Sequence, residues 1–67
     1  MESLSGHIKL KRKKHGLSQA ELAERAGVGL RFVRDMEQGK KTLRMDKVND
    51  VLILFGETLA AVKIDET

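Results

Sequence analysis

A chain of 67 residues with no cysteine must be held together by packing alone, or by a second copy of itself. A domain this small buries only about 60% of the surface that its unfolded chain exposes. Small folds usually offset that shortage with disulfides or a structural metal. Without thiols neither a disulfide nor a thiolate zinc site can form, and two isolated histidines, His7 and His15, do not build a metal site. No metal and no other cofactor is expected. No apolar run approaches the roughly 18 residues of a membrane span, and no signal-peptide stretch follows Met1, so a soluble, cytoplasmic chain is expected.

Gly16, Gly27, Gly39 and Gly56 divide the chain into short segments, each glycine following a helix-like stretch. In the first segment, about 3–15, Leu4 and Ile8 share a face, the stem of Lys11 continues it, and Leu10 lies off the stripe. The second opens with Ser18-Gln19-Ala20-Glu21, a capping-box pattern, and turns Leu22, Ala23 and Ala26 inward. In the third, about 29–38, Val33 and Met36 point inward, while Leu30, Arg31, Arg34 and Gln38 share another face by helical spacing. The fourth, about 44–55, aligns Met45, Val48, Val51, Leu52 and Phe55, with Ile53 and Leu54 widening the apolar arc. Beyond Gly56, Thr58, Ala60, Val62 and Ile64 alternate as in a short strand. Nothing else reads as strand, so its partner is expected to be the same strand of a second chain; a fifth helix or a frayed tail is the alternative.

The net charge of +3 conceals an asymmetry. Lys9, Lys11, Arg12, Lys13 and Lys14 stand against Glu2 in the first sixteen residues, and Arg31, Arg34, Lys40, Lys41 and Arg44 against Asp35 and Glu37 in residues 29–44. Residues 45–67 are net acidic, with Asp65 and Glu66 just before the final Thr67. A basic front and an acidic tail suit a polyanion on one side and a different partner on the other.

Residues 19–38 satisfy together the requirements of a helix–turn–helix unit: a small Ala23 under the crossing, Gly27 at the turn, and apolar Leu22, Ala26, Val28, Val33 and Met36 to lock the two helices. The run Gly16-Leu17-Ser18-Gln19-Ala20-Glu21-Leu22-Ala23-Glu24-Arg25-Ala26-Gly27-Val28, followed by Met36-Glu37-Gln38-Gly39-Lys40, resembles the lambda-repressor/Cro-like, or XRE, family over residues 4–56. The resemblance implies an all-α fold. The family has five helices, and here Glu57–Ile64 replaces the fifth, which is similar to HipB-type antitoxins, whose helical domain is followed by a short strand completing a dimer. Residues 1–56 are therefore expected to form the DNA-binding domain and 57–67 the dimerisation strand and tail, with Thr58, Ala60, Val62 and Ile64 pairing across the dimer.

The family's docking mode sets the third helix in the major groove. It makes Leu30, Arg31 and Arg34 the base-reading candidates, with Gly29 permitting close approach and Phe32 either packing inward or reaching a sugar. Gln19, at a helix N-terminus, and Gln38, Lys40, Lys41 and Arg44, beyond the recognition helix, are candidates for phosphate contact. The family also pairs a first-helix arginine with a glutamate near the end of the recognition helix, which points to Arg12 and Glu37 as a structural ion pair.

No catalytic constellation is found, so an enzyme is not expected. Ser3, Ser5 and Ser18 lack a histidine–carboxylate arrangement, His7 and His15 read as solvated, and Asp46 and Asp50 read as an exposed face. Two functions remain. One is a dimeric repressor that reads a palindromic operator in double-stranded DNA. The other is an interaction protein that neutralises a partner. A HipB-like antitoxin combines both, with a HipA-like kinase toxin as partner and Leu10, Ile53 and Asp65-Glu66 as available surfaces.

Overall fold

Each helix starts and stops where its end residues require. The computed structural model describes residues 3–64, which form α1 (Leu4–Lys14), α2 (Gln19–Ala26), α3 (Leu30–Glu37) and α4 (Met45–Leu52), then a turn of 3-10 helix, Ile53–Phe55. Ser3 caps α1, its hydroxyl accepting from the Gly6 amide at 3.1 Å. At α2 the capping box is complete: the Glu21 amide donates to Ser18 Oγ at 3.0 Å and the Ser18 amide donates to the Glu21 carboxylate at 2.9 Å. Together the two bonds satisfy two donors that the first helical turn leaves unpaired.

The α2–α3 turn depends on Gly27. Its φ of +71° lies in the left-handed region, where a Cβ costs roughly 1–2 kcal/mol. In this conformation the Val28 amide reaches Ala23 O at 3.0 Å and the Gly27 amide reaches Glu24 O at 3.3 Å, the paired bonds of a Schellman ending. The same pair of bonds closes α1, α3 and the 3-10 turn. Helices of eight to eleven residues are too short to persist alone, so burial must hold them.

The core is small. Ile8, Leu22, Ala23, Val33, Met36, Val48, Val51 and Leu52 are buried, with one residue from α1, two each from α2 and α3, and three from α4. Leu4, Leu17, Ala26, Val28, Phe32 and Phe55 pack around them.

Two expectations change. Met45 was expected on the inner face of α4 but is 69% exposed. It begins the helix and lines a shallow groove with Leu59, Ala60 and Ala61, which leave most of it in solvent. The apolar run from Arg44 to Phe55 is also not one α-helix, because α4 ends at Leu52 and tightens into the 3-10 turn. Residues 57–64 form neither a fifth helix nor a strand in the single chain. They form no ladder, since no other segment among the described residues is a strand with which they could pair. Glu2, Asp65 and Glu66 lie outside the described residues.

Gly27→Ala is expected to cost about 1 kcal/mol and lower Tm by about 4–8 °C. Met45→Gln should leave stability within about 0.5 kcal/mol of the parent. Thermal unfolding followed by circular dichroism checks both.

Candidate functional site

The position of α3 depends on a charged cluster at its C-terminal end. Arg12 Nε donates to Glu37 Oε2 at 2.6 Å and Arg12 Nη2 to Glu37 Oε1 at 3.0 Å, a two-pronged pair between α1 and α3. Arg12 Nη1 also donates to Leu17 O at 2.9 Å, in the α1–α2 turn. Gln19 Nε2, from the first turn of α2, donates to Glu37 Oε1 at 3.2 Å. One carboxylate thus ties three helices together. The pair is well shielded, with side chains 11% exposed for Arg12 and 3% for Glu37. Burial pushes the Glu37 carboxyl up, but hydrogen bonds from Arg12 and Gln19 and the charges of Arg12 and Lys9 outweigh it, holding the group below the usual glutamate range. The Glu37 bond raises the Arg12 guanidinium in turn, against the opposing effect of burial.

Anchored in this way, α3 presents Arg31, Arg34 and Gln38 outward, all exposed. Neither arginine has a side-chain hydrogen bond or ion pair among the described residues, so both guanidinium groups are available to an external ligand. Leu30 was expected on this same face, but it is half-buried and packs against the core. At the start of α3 the side chain meets the edge of the core, where a leucine gains more from apolar contact than from water. Gly29 starts α3 with a φ of −73°, and a Cβ there would meet nothing within 4 Å. Neither backbone nor packing therefore requires glycine, and the outer side of the first turn is left open. Phe32 packs inward, with Lys47 Nζ 5.9 Å from its ring centroid.

The expected phosphate contacts divide into two groups. Gln38 and Lys41 are exposed and unengaged among the described residues. Lys40 lies 3.6 Å from Asp35, Arg44 holds Asp46 at 2.6 Å, and Gln19 is bound to Glu37. The Lys40 and Arg44 pairs are exposed enough for an incoming anion to compete. Gln19 retains its amide oxygen and a second N–H.

Neither histidine is simply solvated. His7 Nε2 hydrogen-bonds Glu57 Oε1 at 2.7 Å, and His15 Nδ1 meets Lys11 O at 2.9 Å while its ring lies 5.0 Å from that of Phe55. Lys11 Nζ stands 3.7 Å from Glu57 Oε2. These bonds, chiefly that from His7, hold the Glu57 carboxyl below its usual range. Asn49, which no sequence pattern singles out, accepts from the Leu59 amide at 2.8 Å and the Thr58 hydroxyl at 3.1 Å. Ala60, Val62 and Ile64 are exposed, while the Thr58 hydroxyl is turned to Asn49.

Residues 8–62 match the helix-turn-helix family model. This chain belongs to the XRE-type helix-turn-helix family. The uncharacterized HTH-type transcriptional regulator y4mF of Sinorhizobium fredii is 49% identical over 49 residues, 73% of this helix-turn-helix chain and 64% of the relative. The chain thus matches just under two thirds of that regulator's length. A toxin-antitoxin module from Streptococcus pneumoniae superposes with a TM-score of 0.77 at 34% identity, covering 92% of this chain and 68% of that one. No helix among the described residues is long and apolar enough to cross a membrane.

The depressed Glu37 group carries a pH prediction. Its contribution to stability is complete above the unfolded glutamate value of about 4.3 and is lost as pH falls through the lower folded value. Glu37→Gln should cost about 3 kcal/mol at neutral pH by leaving Arg12 without its charged acceptor. The Tm gap between parent and variant should then close as the pH is taken below about 4. A gap that stays constant with pH would contradict the assignment. Arg12→Ala should lower Tm and DNA affinity together, whereas weakened binding at unchanged Tm would make Arg12 a phosphate contact instead.

Proposed function

We propose that this protein is a dimeric, sequence-specific DNA-binding regulator that acts as a HipB-like antitoxin and represses its own operon. The observation that carries the reading is the outer face of α3: two exposed arginines without intrachain partners, on a helix locked at its far end by the Arg12–Glu37 pair. In this reading α3 enters the major groove, where Arg31 and Arg34 each offer a bidentate donor set to guanine. Gly29 lets the backbone approach, and Leu30 contributes its exposed edge to apolar contact. Gln19, Gln38, Lys40, Lys41 and Arg44 contact the flanking phosphates and set the register. Two copies joined through Thr58, Ala60, Val62 and Ile64 read a palindrome with half-sites about 34 Å apart.

The likeness to a solved toxin-antitoxin module supports a toxin partner, for which a HipA-like kinase is the candidate. A stand-alone repressor is the second reading, favoured by the relative named only as a transcriptional regulator. The adjacent reading frame separates them: a kinase-like neighbour supports the antitoxin, an unrelated one the stand-alone repressor.

Selection of bound duplexes from a random pool at a stated salt concentration should yield a palindrome. The Arg31→Ala, Arg34→Ala double variant should then bind it at least about 30-fold more weakly, at about 1 kcal/mol or more per arginine. Equal affinity and selectivity would reject α3 as the reading element. Removing residues 57–67 should yield a monomer in sedimentation, and a truncated chain that still dimerises fully would reject the tail as the dimer contact.

A further inference from the structure

The C-terminal segment is attached to the helical domain at a few defined points. Glu57 is held from α1 by His7 at 2.7 Å and Lys11 at 3.7 Å. Leu59 is half-buried against the core, and its amide donates to Asn49 Oδ1 at 2.8 Å. The Thr58 hydroxyl donates to that same oxygen at 3.1 Å. Past Leu59 the attachment ends. No backbone hydrogen bond holds residues 60–64 among the described residues, and Val62 and Ile64 are 75% and 82% exposed.

In the extended form that strand pairing requires, side chains alternate, so an inward Leu59 would turn Ala60, Val62 and Ile64 to the opposite side. A slip of one residue would reverse that assignment. The last anchored atom therefore sets both the direction in which the segment leaves the domain and the side that carries its apolar row. The free N–H and C=O groups beyond it, with that row beside them, form a template for pairing. A second copy of the same segment satisfies such a template by two-fold symmetry.

We propose that Asn49 is the positioning residue that fixes the register of this segment, and through it the separation of the two recognition helices in the dimer. This rests on the dimeric reading above. Asn49 belongs to α4, which is packed into the core through Val48, Val51 and Leu52. Its amide oxygen thus transmits a rigid position to the chain just before the free edge begins. Without Asn49 the last polar hold on the segment is at Glu57, and the chain beyond it would leave the domain in a variable direction, as a flexible linker does. Two domains so joined would tolerate half-sites at several separations.

Asn49→Asp keeps an acceptor at this position and Asn49→Leu removes it. Amide exchange at Leu59, sedimentation, and binding to the selected operator with one or two base pairs inserted between its half-sites are measured for each. Parent and N49D should protect the Leu59 amide, dimerise alike and prefer one spacing. N49L should lose the protection and dimerise about tenfold more weakly, the equivalent of one net hydrogen bond. It should also bind the respaced operators nearly as well as the original. Asn49→Ser, too short to reach the tail, replaces N49L if the leucine variant fails to fold. A dimeric N49L with the parent's spacing preference overturns this role alone. A monomeric parent overturns the dimer, and this role with it.

Discussion

The shielded pair of Arg12 and Glu37 is the contact on which the remaining architecture depends. The eight buried side chains among the described residues cannot by themselves orient the short helices, because apolar contact is strong but carries little direction. A two-pronged guanidinium–carboxylate pair supplies direction. It brings α1 to the end of α3, and through Leu17 O and Gln19 it draws in the α1–α2 turn and the start of α2. The benefit is conditional. Such a pair is costly to desolvate, and losing one member leaves a shielded charge unmatched.

That arrangement separates the two sides of α3. Val33 and Met36 occupy the core, and the end is bound through Glu37. The side that remains carries Arg31 and Arg34. Several other cations near it are neutralised within the chain: Arg12 by Glu37, Lys40 by Asp35 and Arg44 by Asp46. Only the last two pairs are open enough to exchange their partner for a phosphate. The basic character of the front of the chain is thus divided between a structural cation and cations available to a ligand.

The tail follows a different logic. Its first residues are tied to α1 and α4 by polar bonds, and residues 60–64 have no polar anchor among the described residues. Val62 lines a groove with Leu4 and Leu52, yet it and Ile64 remain largely exposed, and the proposed dimer is the reading that would cover them.

Much of this was legible in the amino-acid order because it is local. The capping box at Ser18 and Glu21, the glycine endings and the inward residues of α2 and α3 are set by interactions within a few positions along the chain, where spacing and residue type suffice. Arg12 with Glu37 was accessible only through the family resemblance, since nothing in either residue names a partner 25 positions away. Tertiary structure alone decided the rest. Leu30 turned toward the core and Met45 stayed in water, because residues at the edge of a helical stripe are assigned by what packs beside them. His7 found Glu57 fifty positions away, and Asn49 became the holder of the tail. Helical periodicity determines which way a side chain points, but only the packed chain determines what it meets there.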